Sequence, residues 1–215
     1  MISVQTTLPI DIWVSATWEE YEQAIASPTY TKAKGYYHNG QMRIEMSPVG
    51  PNHATDNSLI DILVNLFGIA KGLPMRSLSN CSYRKRGVRE CQPDLSYYIG
   101  DRASLSPQGS SVVDLDSTPA PDLAIEIAGT SLADDLGVKR LLYEDVGVAE
   151  YWVVDVQQAS ITAFRILPDR ASQRIAQSQV LPGLAIALLE EALQRSRQTD
   201  NSQVGAWFLA EVQKQ

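Results

Sequence analysis

Histidine and cysteine are scarce: two of each in 215 residues. With only His38 and His53 there is little from which to build a zinc centre or a histidine-based triad, and Cys81 and Cys91 lack a metal-finger spacing. In a chain without a secretion signal, such a pair is expected to be reduced and buried. The G-x-S-x-G, H-E-x-x-H and phosphate-loop signatures are missing, which removes the common nucleophile, zinc-protease and nucleotide-binding readings. No apolar run approaches the roughly 18 residues needed to cross a bilayer. The first Lys or Arg is Lys32, and residues 1–13 carry no long apolar stretch, so no signal peptide is expected and a cytoplasmic chain is. Basic charge is in deficit. The 18 Lys and Arg against 25 Asp and Glu give a net charge of −7, which argues against coating nucleic acid or membrane through bulk charge.

What is present is a folded chain, with 44% hydrophobic and 20% charged residues, too apolar for wholesale disorder. The length suits one domain with a real core. Thr17 and Glu20 have capping-box spacing ahead of a short helix, Trp18 to Ala26. Asn39-Gly40 marks a hairpin within Gly35 to Met46. Apolar positions Leu59, Ile60, Leu63, Leu66, Phe67 and Ala70 predict a long helix over Asn52 to Lys71, stopped at Gly72. Strands are expected at Met75 to Arg84, Asp94 to Ile99, Leu123 to Ala128, Tyr151 to Val156 and Ile161 to Leu167. A helix over Ser131 to Val146 makes a parallel crossover between the third and fourth of these. Asp101 to Pro121 reads as a long loop, Leu184 to Arg197 as an amphipathic helix and Trp207 to Val212 as another. The expected architecture is α/β: a mixed sheet, antiparallel at its start and parallel across the crossover, flanked by helices. We divide it into a helical flank over 1–34, a main domain over 35–198 and a helical tail over 199–215.

Three groups stand out chemically. Asp94 heads an apolar strand after Pro93, a place that also suits a plain turn aspartate. Glu126 lies mid-strand on the face opposite Leu123, Ile125 and Ile127, where a carboxylate needs a cation, a metal or a proton; a structural Arg or a solvated face would also satisfy it. Ser131, Asp135, Lys139 and Tyr143 are spaced by four along the crossover helix. Asp135 and Lys139 form either an exposed ion pair or part of a site in which Lys139 points at the carboxylates. Two acids and a lysine converging at a sheet edge are what metal-assisted phosphodiester hydrolysis requires.

The ordered series Gln92-Pro93-Asp94, Pro121-Asp-Leu-Ala-Ile-Glu126-Ile, Ser131, Asp135, Lys139, Tyr143 and Gly147-Val-Ala-Glu-Tyr-Trp-Val-Val-Asp155 resembles the Uma-type restriction endonucleases of the PD-(D/E)XK superfamily. Met46-Ser-Pro48 and His53 match the upstream half, and the resemblance spans about Gly35 to Leu167. It implies a restriction-endonuclease-like fold, a site for Mg²⁺ or Mn²⁺, a homodimer, and DNA as substrate. Asp94 and Glu126 would be the metal carboxylates, the Ile127 carbonyl a further ligand, Lys139 the catalytic lysine, and His53 a group at the rim. The chain departs from the superfamily in having Ala128 two residues after the second acid, so that Lys139 comes from the next helix. It departs from many relatives in having Tyr36 where they carry glutamate, with Glu45 the nearest substitute and Asp135 a further accessory acid.

Six basic and no acidic residues occupy Lys71 to Arg89, and Arg84, Lys85, Arg86 and Arg89 from this run are the expected nucleic-acid contacts. A solvated basic hairpin would look the same. The function expected is divalent-metal-dependent hydrolysis of DNA, in which Lys139 orients or deprotonates the attacking water. The alternative is a non-enzymatic homodimeric binding protein on the same fold.

Overall fold

Alternation of side chains along the strands decides the layering. The computed structural model describes residues 8–46 and 49–214. Among them, two six-stranded sheets form. The first contains β1 (Val14–Ser15), β2 (Lys34–His38), β3 (Gln41–Glu45), β5 (Tyr83–Lys85), β6 (Arg89–Cys91) and β8 (Val113–Asp114). The second contains β4 (Met75–Ser79), β7 (Leu95–Ile99), β9 (Leu123–Ala128), β10 (Glu150–Asp155), β11 (Ser160–Ile166) and β12 (Ser172–Ile175), in the order β12-β11-β10-β9-β7-β4. The helices are α1 (Trp18–Ile25), α2 (Pro51–Lys71), α3 (Leu132–Leu136), α4 (Val138–Val146), α5 (Ile186–Ser196) and α6 (Asn201–Gln213).

One face of the second sheet, through Leu95, Tyr97, Ile125, Ile127, Trp152 and Val154, packs on α2, α5 and α6. The other face, through Tyr98, Ala124, Ala128, Tyr151 and Val153, meets Leu142 and Tyr143 of α4 and Tyr36, Tyr83 and Cys91 of the first sheet. Tyr37, one residue past Tyr36, points the other way and packs under Trp18 and Tyr21 of α1. Both cysteines are free thiols, Cys91 buried and Cys81 half-buried.

Several expected elements form where local chemistry placed them. Thr17 and Glu20 cap α1 reciprocally. Asn39 and Gly40 both take positive φ, 48° and 73°, as the two-residue turn between β2 and β3 requires. Gly72, with φ of 61°, ends α2. The β9–β10 pair is parallel, as the crossover demands.

Four expectations need correction. The single mixed sheet is two sheets, because the hairpin carries aromatic side chains on both faces and is buried on both. The strand Met75 to Arg84 is two strands in different sheets: after Asn80 N–H bonds the Asp94 carbonyl at 2.9 Å, Asn80 itself turns left-handed at φ 52° and directs the chain away. The crossover helix is broken at Gly137, where a Cβ would lie 2.8 Å from the Ala133 carbonyl oxygen, so α4 restarts one residue before Lys139. The last helix begins at Asn201, earlier than the apolar pattern suggests, because Asp200 caps it through Gln203 N–H at 2.9 Å. Of the Met46-Ser-Pro48 segment, Ser47 and Pro48 lie outside the described residues.

Glu150 at the head of β10 illustrates a buried acid with a structural task. It accepts from Trp152 Nε1 at 3.0 Å, Ser178 Oγ at 2.9 Å and Val180 N–H at 3.2 Å, tying the segment before α5 to the sheet. Glu150→Ala is expected to lower unfolding stability by about 2–4 kcal/mol, since it strands several buried donors at once. Denaturant titration checks this; a loss below about 0.5 kcal/mol would contradict it.

Candidate active site

Asp94 and Glu126 meet because of strand register. In the antiparallel β7–β9 ladder Leu95 faces Ile125 and Ser96 faces Ala124, so the next position brings Asp94 opposite Glu126, on the face shared with Ala124 and Ala128. Both are buried, Glu126 to 2% exposure. The Asp94 Oδ2 accepts the Ile127 N–H at 2.8 Å and has His53 Nε2 at 3.7 Å, while its Oδ1 is paired with the Lys34 ammonium. Glu126 is held on Oε1 by the Tyr143 hydroxyl at 2.7 Å and the Tyr36 hydroxyl at 3.2 Å.

Lys139 comes from the first turn of α4 and is 1% exposed. Its Nζ lies 2.9 Å from Glu45 Oε1, 2.9 Å from Asp135 Oδ1 and 3.9 Å from Glu126 Oε1, and 4.2 Å from the centre of the Tyr36 ring. Asp135 is also bonded by Ser131 Oγ at 2.6 Å, and Glu45 by Arg43 Nε at 2.7 Å. The Asp135–Lys139 pair is therefore interior, and the exposed ion pair read from helix spacing does not occur. Because α3 and α4 are separate helices, the four-residue spacing alone would not have placed these two side chains together.

Burial and charge act in opposite directions across this cluster. For Asp94, burial would raise the pKa, but His53, Lys34 and the Ile127 amide together hold it well below the usual carboxylate range. For Lys139, burial would lower it, yet Glu126, Asp135 and Glu45 keep the ammonium protonated beyond the usual lysine range. Glu45 is lowered, its burial outweighed by Lys139 and Arg43, and is the ionised partner of Lys139. Burial pushes Asp135 up and Glu126 up to about 8, with Lys139 opposing in both cases. One lysine cannot hold three buried acids ionised, so the proton stays on those it compensates least.

These groups open into a cleft of about 560 Å³ whose walls include Lys32, Lys34, Glu45, His53, Asp94 and Glu126. Among the described residues, no group of three or more His, Cys, Asp or Glu side chains is arranged to hold a metal ion. Arg84, Lys85, Arg86 and Arg89 do not line this cleft. Arg84 is paired with Glu90 and lies 3.9 Å from Glu22, Arg86 also lies 3.9 Å from Glu22, Lys85 is 3.4 Å from Asp116, and Arg89 bonds the Asp145 carbonyl. Of the basic run, Arg84 is thus answered closely by an acid, while Lys85 and Arg86 stay largely exposed.

A family model described as "Putative restriction endonuclease" (Uma2) matches residues 18–201. The chain belongs to this family. The crystal structure of a "putative nuclease belonging to DUF820" from Anabaena variabilis ATCC 29413 is similar to it in fold, with a TM-score of 0.57 at 20% identity over 82% of this chain and 98% of that one. No curated protein matches the chain. Within the Uma2 framework, three site groups escaped the sequence reading: Lys34, Arg43 and the hydrogen-bonding role of Tyr36. A period-two reading of the hairpin would have placed them on one face, since Lys34 pairs with Glu45 and Tyr36 with Arg43; Lys34, Arg43 and Glu45 line the cleft and Tyr36 is buried behind them. No helix among the described residues is long and apolar enough to cross a membrane.

A carboxyl whose pKa rises on folding favours the folded state at low pH and loses that advantage as pH climbs from its ordinary 4.5 toward 8. Glu126→Gln keeps an acceptor for Tyr36 and Tyr143 and carries no charge. Without divalent ions it is expected to gain stability relative to the parent as pH rises from 5 to 8, by on the order of 1–3 kcal/mol. Melting curves of the two proteins check this, and a difference independent of pH would contradict it.

Proposed function

We propose that this Uma2 protein is a divalent-metal-dependent endonuclease that hydrolyses DNA phosphodiester bonds. The observation that carries the reading is the meeting of Asp94, Glu126 and Lys139 at the wall of one cleft, in a chain of this family. The donor set suits a hard cation such as Mg²⁺ or Mn²⁺: two carboxylates from neighbouring strands, with the Ile127 carbonyl as a third oxygen. Among the described residues, the hydrogen bonds from Tyr36 and Tyr143 and the approach of Lys139 all fall on Glu126 Oε1. Mg²⁺ is commonly held by one or two carboxylates with water completing its shell, so the lack of a three-ligand cluster is compatible with it. A bound divalent ion supplies Lewis-acid charge at the phosphate and makes water a stronger nucleophile near neutral pH.

The protein's own residues do the rest. Lys139 is held in one position by Glu45 and Asp135, and the acidic cluster around it keeps it protonated. It therefore orients the attacking water and offsets charge on the five-coordinate phosphorus, rather than removing a proton. Tyr36 and Tyr143 fix the Glu126 carboxyl, and His53 stands at the rim beside Asp94. We assign substrate phosphate contacts to Lys32, Lys34 and His53, which line the cleft, rather than to Arg84, Lys85, Arg86 and Arg89. In a chain of net charge −7, DNA binding is expected to be weak and sensitive to salt. On this reading the working unit is a homodimer, which brings two clefts to one duplex; light scattering on the eluted protein decides it.

Supercoiled DNA incubated with Mg²⁺ or Mn²⁺ is expected to be nicked by the parent protein, with rates reduced about 100-fold or more in Asp94→Ala and Lys139→Met. Equal cleavage by all three proteins, or none with any divalent ion, would overturn the assignment, and the second outcome would favour the non-enzymatic binding reading.

A further inference from the structure

The two lysines of the site are held very differently. Lys139 is sealed, with Glu45 and Asp135 each 2.9 Å from its ammonium. Lys34 opens β2 at the cleft, its side chain is 23% exposed, and its one ion-pair partner among the described residues is Asp94 Oδ1. The other oxygen of Asp94 is tied to the backbone of the adjoining strand through Ile127 N–H. A divalent ion that binds Asp94 through the oxygen not engaged by the strand takes the place that Lys34 now holds. An ammonium and a divalent cation on one buried oxygen repel strongly, so one must leave. Lys34 is the one with somewhere to go, because its flexible four-carbon stem starts at the cleft wall beside Lys32 and His53.

We propose that Lys34 is a displaceable counter-ion of the metal site: it neutralises Asp94 until a divalent ion arrives, and its released ammonium then pairs with a substrate phosphate in the same cleft. The inference rests on the metal-site reading above. It explains why a buried aspartate has a half-buried lysine on one oxygen and a backbone amide on the other. It also makes loading of metal and grip on DNA interdependent, since the charge freed by the first event serves the second.

The test is Mn²⁺ binding by titration calorimetry, with the parent protein, Lys34→Met and Lys34→Arg. Removing the competing charge in Lys34→Met is expected to tighten Mn²⁺ about tenfold. Lys34→Arg, a stronger partner for a carboxylate, is expected to bind Mn²⁺ no more tightly than the parent, and it serves as the folded control if the methionine variant is unstable. Anisotropy of a labelled duplex in Ca²⁺ is expected to show several-fold weaker binding for Lys34→Met. Unchanged or weaker Mn²⁺ binding by Lys34→Met would overturn the counter-ion role. Tighter Mn²⁺ with undiminished duplex binding would overturn the transfer to phosphate. No Mn²⁺ binding by any of the three would overturn the metal-site reading, and this inference with it.

Discussion

Two carboxyl groups facing each other across neighbouring buried strands are an unstable arrangement unless something answers their charge. The β7–β9 register imposes that arrangement on Asp94 and Glu126, and much of the surrounding chain reads as its answer. A backbone amide and Lys34 take Asp94; two tyrosine hydroxyls and a proton take Glu126; Lys139 lies between Glu126 and two further acids. Buried charge clusters of this kind are often no more stabilising than apolar side chains of the same volume, so stability alone is a weak reason for this one. Glu150, fully bonded to donors of its own fold, shows what a structural acid looks like by comparison.

How much of this was legible beforehand varies from residue to residue, for physical reasons. Asp94 and Glu126 stood out because a carboxylate in an apolar strand violates the local pattern, and a violation of pattern is visible in one dimension. Lys139 was legible from its helix following Glu126, although an i,i+4 pair with Asp135 reads equally as an ordinary surface pair, and the resemblance decided between the two. Lys34 could be placed on the hairpin face of Glu45 by alternation, but nothing in the sequence pointed to its pairing with Asp94. It sits in a short hairpin strand, and its relation to Asp94 spans sixty residues and two sheets. The split of Met75 to Arg84 between sheets was hidden for a similar reason: a lone asparagine made the turn that glycine or proline would have announced.

The charge of the chain shows the same gap between sequence and space. A run of basic residues without acids suggested a nucleic-acid surface; in space Arg84 pairs with Glu90, Lys85 and Arg86 stay largely exposed, and none of the three lines the cleft. The cations that line the cleft, Lys32, Lys34, Arg43 and Lys139, come instead from the hairpin with the residues before it and from the crossover helix. Local potential is set by which elements pack together, and an overall charge of −7 neither forbids nor locates a polyanion site.

The central claim is that Asp94 and Glu126 together hold a divalent ion, and anomalous diffraction from crystals soaked in Mn²⁺ tests it most directly. The account requires a manganese peak within about 2.1 Å of an oxygen of each residue, with the Lys34 ammonium moved off Asp94. A saturated soak with no peak between the two carboxylates, or a peak only on surface acids, would contradict it.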